Sequence, residues 1–247
     1  EICACLVGSE MCIRDRDYLA FHKKYYHPSN SYLYLYGNMD MEEKLNWIDE
    51  NYLSHFEKIE VDSEVRLQKP FAERKEEYGF YSVTEGEDTE GKAYFSYNTV
   101  CGDGLDRNLY RAFPVLSYVL VQSIGAPLKQ ALLDAGIGND ISCYYEESVR
   151  QPFFSIIAKN VKMEQKQQFI NVIETELKKI VKEGLNQQSL LAAINGYEFQ
   201  YREADFGNFP KGLMYGLQIF DSWLYDENKP FIHIPVSYTH LRAHETC

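Results

Sequence analysis

Downstream of residue 77 the chain alternates pairs of strand-like segments with runs of helix-like segments. This order limits the possible fold more than any other feature. The pattern predicts strands at about 77–84 and 92–100, joined by the acidic stretch EGEDTEG. The turn CGDG at 101–104 leads to a helix from Arg107 to about Ser123, with Asp106 as its N-cap. Pro127 stands at a first helical position, and Gly136 stands just past a short helix over 128–135. A second strand pair follows at about 140–148 and 152–160. The clearest helix runs from Met163 to Glu183. There Phe169, Ile170, Ile173, Leu177, Ile180 and Val181 follow the helical period, and Gly184 stops it. Two more helices fit 187–204 and 210–225. The order ββα(α)ββααα predicts an α+β fold, a mixed β-sheet with helices packed on one face.

Upstream of that domain the pattern is helix, strand, helix. The helix over 17–26 is closed by His27-Pro28, because proline disfavours helix in the residue before it. The segment SYLYLYG, 31–37, is apolar on both faces and predicts an interior strand, its Tyr32, Tyr34 and Tyr36 stripe lying in a sheet core. Asp40 and Glu43 have the spacing of a capping box, opening a helix to about Phe56. From 57 to 77 the chain is charged and broken by Pro70, as a linker would be. The expected organisation is the tail of one domain at 17–56, a linker at 57–77 and a second, truncated domain at 78–234.

Both ends read differently. CLVGSEMCIRDR at 5–16 and PVSYTHLRAHETC at 235–247 resemble translated adapter sequence, of the kind left in genes predicted from assembled reads. Residues 1–16 and 235–247 are therefore expected not to be native. The second segment holds His240 and His244, four apart, the spacing at which two imidazoles on a helix share one metal ion. The adapter reading removes that pair from consideration.

A net charge of −12 with a pI near 5.0 argues against nucleic acid and anionic membrane surfaces as partners. The longest uncharged run, 112–128, contains Pro114, Gly125 and Pro127 and is too broken to span a bilayer. Between the two ends the only cysteines are Cys101 and Cys143, which predicts a reduced intracellular protein rather than a disulfide framework. EGEDTEG lacks the spacing of a calcium loop and reads as a solvated hairpin loop. His27-Pro28-Ser29-Asn30 reads as a helix stop, and CGDG as turn chemistry rather than a reactive thiol.

Three stretches carry a family resemblance: FHKKYYHPSNSYLYLYGNMD at 21–40, PLKQALLDAGIGNDIS at 127–142 and GLMYGLQIFDSWLYDENKPF at 212–231. They resemble the presequence-protease-like branch of the pitrilysin (insulinase, M16) zinc metallopeptidases. The resemblance implies a clamshell of four related α+β domains around a chamber that degrades unfolded peptides. It also implies a zinc site of the form H-x-x-E-H, in which two histidines hold the metal and the glutamate activates water. This chain has no such motif. His22 and His27 are five apart without a glutamate between them, and His55 and His233 stand alone. The second domain's counterpart of the zinc helix, RNLYRAFPVLSYVLVQS at 107–123, has no His, Asp, Glu or Cys.

The first domain's motif is expected upstream of residue 17. No catalytic, cofactor-binding or metal residue is therefore assigned in this chain. Zinc is expected only in the parent protein, and this fragment alone is expected to be inactive, serving as scaffold and chamber wall. The expected partners are unfolded peptides and the rest of its own chain, in a bacterial cytoplasm or an organelle matrix. A non-catalytic structural or peptide-binding subunit of the same superfamily is the alternative.

Overall fold

The computed structural model describes residues 9–203 and 206–234, which form two structural units dividing between Val65 and Arg66. In the first unit, α1 (Ser9–Tyr25) starts eight residues before the expected position 17, crossing the boundary read from sequence. Its stop is built by the residues named for it. His27 Nδ1 accepts the Ser29 amide at 3.1 Å, Asn30 Nδ2 donates to the Tyr25 carbonyl at 2.9 Å, and Pro28–Asn30 form one tight turn. The next helix, α2 (Met41–Asn51), is capped by Asp40, whose carboxylate accepts the Glu43 amide at 3.0 Å. Only this half of the capping box forms among the described residues; the Glu43 carboxylate meets Lys44 at 2.9 Å.

Residues 31–36 belong to no helix or ladder. Tyr32, Leu33 and Tyr36 are exposed, so the interior strand expected here is not formed among the described residues. Strand identity needs a neighbour to take the backbone groups, and none of the described strands pairs with this segment.

The second unit holds the sheet. Strands β1 (Ala93–Val100), β2 (Asp140–Glu146) and β3 (Phe153–Val161) are antiparallel in the order β1-β3-β2. The expected hairpin of 77–84 with 92–100 is absent, and β1 pairs with β3 instead. Tyr81 shows why. Its hydroxyl donates to the Lys92 carbonyl at the head of β1, and its ring meets Tyr94 edge-on at 5.4 Å. Side chains thus hold this segment where a backbone ladder was expected, and Phe80 is left in solvent.

One face of the sheet carries Phe95, Ile141, Tyr145, Phe154, Ile156 and Ala158, all buried. Helices α3 (Arg107–Ser117), α4 (Pro127–Asp134) and α5 (Lys166–Glu183), with the turns that follow α3 and α4, complete this core with Leu120, Val121, Leu128, Leu132, Ile137, Phe169 and Ile173. Asp106 caps α3 by accepting the Asn108 and Leu109 amides. Pro114 lies inside α3, and residues 118–122 continue the helix as a widened π turn closed by Ser123 N–H to the Tyr118 carbonyl at 2.8 Å. This turn buries Val119, Leu120 and Val121 in succession.

α4 ends in a Schellman motif: Gly136 N–H bonds the Leu133 carbonyl at 2.9 Å and Ile137 N–H bonds that of Leu132 at 3.0 Å. Gly136 adopts φ 67°, which explains the glycine. Helices α6 (Gln187–Glu203) and α7 (Lys211–Trp223) follow α5. The α+β reading therefore holds, with a smaller sheet than the strand patterns predicted.

Candidate functional site

The opposite face of the sheet is the first candidate surface. The register aligns Tyr94, Lys159 and Asp140 in one row, Ser96, Ile157 and Ser142 in the next, and Asn98, Ser155 and Tyr144 in the third. Strand alternation points all nine away from the core. Tyr94 and Tyr144 are exposed, and Lys159 pairs with Asp140 at 2.9 Å. Asn98 Oδ1 accepts from Ser155 Oγ at 2.6 Å and Ser96 Oγ at 2.8 Å. Hydroxyls, an amide and two rings suit hydrogen bonding and stacking with an extended polypeptide.

The second feature is a buried polar cluster where α3, α6, α7 and the β2–β3 turn meet. Tyr110 of α3 donates to Asp221 Oδ2 of α7 at 2.7 Å. The Tyr110 ring stacks on His233, with centroids 3.7 Å apart and planes 15° from parallel. His233 is 1% exposed, and neither ring nitrogen has a hydrogen-bond partner among the described residues. Burial, with Arg111 and Arg107 nearby, pushes its pKa down to about 4, against a weaker pull from the Gly104 backbone. Burial beside Asp221 pushes the Glu147 carboxyl up to about 7. Burial raises Asp221 too, although the Tyr110 hydroxyl opposes it.

The third feature is a groove of about 610 Å³ between α3 and α6. Ala112, Val115, Leu116, Leu190 and Ile194 give it apolar walls. Arg111, Tyr197 and Tyr201 also line it. The two tyrosine hydroxyls are 3.2 Å apart, and Gln218 of α7 donates to Tyr201.

No sequence-level candidate becomes a metal ligand set. His22 stacks on Tyr26, His27 closes a helix, and His55 sits in a tight turn. Among the described residues no three His, Cys, Asp or Glu side chains stand close enough to hold a metal. Helix α3 and its π turn offer no imidazole, carboxylate or thiol, so they do not fit zinc. His240 and His244 lie outside the described residues. Burial raises the pKa of Cys101, whose Sγ donates to the Thr99 carbonyl at 3.3 Å, so turn geometry accounts for CGDG. The same effect of burial raises Cys143. Among the described residues no helix is long and apolar enough to cross a membrane. Sequence reasoning missed the Tyr110–Asp221–His233 cluster; Tyr110 lies more than a hundred residues from the other two, and no spacing announces them.

The structure thus defines an α+β domain with a helix-covered sheet and, among its described residues, no metal centre. Residues 16–197 match the family model described as the peptidase M16 inactive domain. The protein HypA of Clostridium perfringens (strain 13 / Type A) is 45% identical over 218 residues, which cover 88% of this chain and 22% of that protein. Presequence protease 1, chloroplastic/mitochondrial, of Arabidopsis thaliana is 32% identical over 235 residues, covering 93% of this chain and 21% of that protein. The mitochondrial presequence protease of Xenopus tropicalis is 26% identical over 196 residues, covering 76% and 19%. The chain belongs to the peptidase M16 family, in its presequence-protease-like branch. It spans about a fifth of the length of these curated relatives.

Proposed function

We propose that this chain is the scaffold and chamber-wall part of a zinc-dependent endopeptidase that acts on unstructured peptides. The observation that carries the proposal is the sheet, packed by helices on one face and open on the other. That open face presents Ser96, Asn98, Ser142, Tyr94 and Tyr144 in register. The covered face anchors the wall, and the open face meets peptide backbone without imposing sequence. Two relatives named as presequence proteases support the reading. The zinc chemistry belongs to an H-x-x-E-H helix in another domain, because α3 fits no metal.

In this reading the tail of a catalytic domain spans 17–56, a linker 57–77 and a non-catalytic domain 78–234, with residues 1–16 and 235–247 foreign to both. The net charge of −12 disfavours nucleic acid as a partner and favours basic peptides over acidic ones. The work is done in a bacterial cytoplasm or an organelle matrix.

The test is to recover the gene upstream of residue 17, express the whole protein, and measure zinc content and cleavage of an unfolded basic peptide. About one zinc per chain, with cleavage abolished by a chelator, is expected. No H-x-x-E-H within roughly 200 residues upstream, about one domain length, would sink the proposal. A metal-free structural or peptide-binding subunit is the second reading, favoured by the match to an inactive-domain model. It predicts a whole protein that binds the peptide, holds no zinc and cleaves nothing.

A further inference from the structure

Helix α7 fixes which ends of α3 and α6 meet. Gln218 and Asp221 stand three apart, on one face of α7. Gln218 donates to Tyr201, late in α6, and Asp221 accepts from Tyr110, early in α3. The start of α3 and the end of α6 are therefore side by side, and the groove between the two helices has two different ends. Arg111, Tyr197 and Tyr201 line the end beside α7. Val115 and Leu116, further along α3, and Leu190 and Ile194, earlier in α6, line the rest.

The polar end is short of acceptors. Arg111 is half-buried and forms no ion pair among the described residues; its Nη2 has one long bond, to the His233 carbonyl at 3.5 Å. Burial and the neighbouring Arg107 charge both weigh against its ionised form. Tyr201 is buried, and its hydroxyl lies 3.2 Å from that of Tyr197 while accepting from Gln218. Whichever phenol donates to the other, one phenolic proton has no recipient among the described residues. A guanidinium and a phenolic proton side by side suit the two oxygens of a carboxylate. Asn108 and Glu198 line the groove as well and bring acceptor oxygens. A fatty acid leaves those unmatched, whereas the last N–H of a peptide can donate to one.

We propose that the α3–α6 groove holds the C-terminus of an unfolded peptide, its carboxylate on Arg111 and the Tyr197–Tyr201 pair and its last two apolar side chains against Val115, Leu116, Leu190 and Ile194. Val115 lies four residues beyond Arg111, about 6 Å along the helix, and an extended peptide advances about 3.3 Å per residue. Two residues therefore reach from the guanidinium to the apolar walls. The groove lies on the helical side of the domain, apart from the open sheet face, and it reads a free carboxylate where the sheet face reads only backbone. The site stands whether or not the whole protein is a peptidase.

The experiment is fluorescence polarisation with the full chain and a short glycine-serine peptide ending in leucine and phenylalanine. The peptide is labelled at its N-terminus and made with either a free carboxylate or a terminal amide. The free acid should bind about tenfold more tightly than the amide, the difference made by one charge-assisted pair. Arg111→Gln should erase that difference and leave binding of the amide where it was. Ile194 is 43% exposed, so Ile194→Glu puts a charge on the apolar wall without disturbing the core and should weaken both forms. This second variant covers failure of the first to fold. Equal binding of acid and amide by the unchanged protein overturns the proposal. So does an acid–amide difference that survives Arg111→Gln, or binding that ignores Ile194→Glu. Dodecanoate that displaces the labelled acid as tightly as the unlabelled peptide does overturns it too, and assigns the groove to fatty acids.

Discussion

Tyr110 and Asp221, 111 positions apart in the chain, share a 2.7 Å hydrogen bond that joins α3 to α7. The same Tyr110 ring stacks on His233, so one side chain gathers the start of the domain's helical layer and its last described segment. Tyr110 is buried on α3, and a carboxylate from another helix satisfies its hydroxyl.

Tyr110→Phe removes the donor and leaves the Asp221 carboxylate half-buried without it. The chain should lose about 1–3 kcal/mol of unfolding free energy, the usual cost of orphaning a buried partner. Urea denaturation at pH 7 measures it. A loss below about 0.5 kcal/mol would show that solvent already serves Asp221.

His233 and Glu147 oppose each other in pH dependence. The folded His233 value of about 4 lies below its ordinary 6.5, so its stabilisation is present above 6.5 and lost as pH falls toward 4. The folded Glu147 value of about 7 lies above its ordinary 4.5, so its stabilisation is present below 4.5 and lost as pH rises through 7. The two nearly cancel, and stability of the unchanged chain should vary little between pH 5 and pH 7. Substituting His233→Phe keeps the stack and should expose a steady fall in stability across that range. Glu147→Gln should expose the opposite slope. Thermal melts at half-unit pH steps read both, and parallel profiles for the two variants would refute the assignment.

Gly138 and Gly136 both adopt left-handed backbone, at φ 64° and 67°, yet they differ in surroundings. A Cβ at Gly138 would lie 2.6 Å from the Lys159 carbonyl oxygen, whereas nothing stands within 4 Å of one at Gly136. Gly136→Ala should cost about 1–2 kcal/mol, the ordinary left-handed penalty. Gly138→Ala should cost clearly more, because the backbone of β3 must move. Equal midpoints in a denaturation series would contradict this.

Gln151 holds the segment after Arg66 by a reciprocal amide pair. Its Oε1 accepts the Gln68 amide at 2.7 Å and its Nε2 donates to the Gln68 carbonyl at 3.1 Å. Further along, Arg74 pairs with Glu174 at 3.2 Å and Lys166 with Glu76 at 2.6 Å. These exposed pairs contribute little to global stability. Gln151→Ala should therefore leave the melting temperature almost unchanged. Trypsin cleavage between residues 66 and 75 should accelerate several-fold, followed by mass spectrometry. An unchanged cleavage rate would mean the amide pair does not hold the segment.

Local signals were legible wherever a structure is built by neighbours in sequence. Asp40 and Asp106 cap the helices they precede, Gly136 ends α4, and His27 to Asn30 stop α1, because each bond closes within five residues. The amphipathic period of α5 was equally plain, since Phe169, Ile170 and Ile173 must share a face to be buried. Strand signals failed twice. SYLYLYG and the 77–84 segment have the residues of strands, but a strand exists only where a partner takes its backbone groups. Apolar alternation is silent on that partner.

The candidate site divides the same way. That α3 cannot hold zinc was readable from its composition, because metal chemistry requires side chains that 107–123 lacks. The cluster of Tyr110, Asp221 and His233 was not readable. Tyr110, Glu147, Asp221 and His233 are ordinary residues in sequence, and their altered protonation arises only from burial together. Sequence by itself determined most of the helices, several of their caps and stops, and the lack of an H-x-x-E-H motif, all consequences of local geometry and residue chemistry. Only the tertiary structure decided which strands pair, which sheet face stays open and which acids are buried. Those depend on distances between parts of the chain that no sequence spacing encodes.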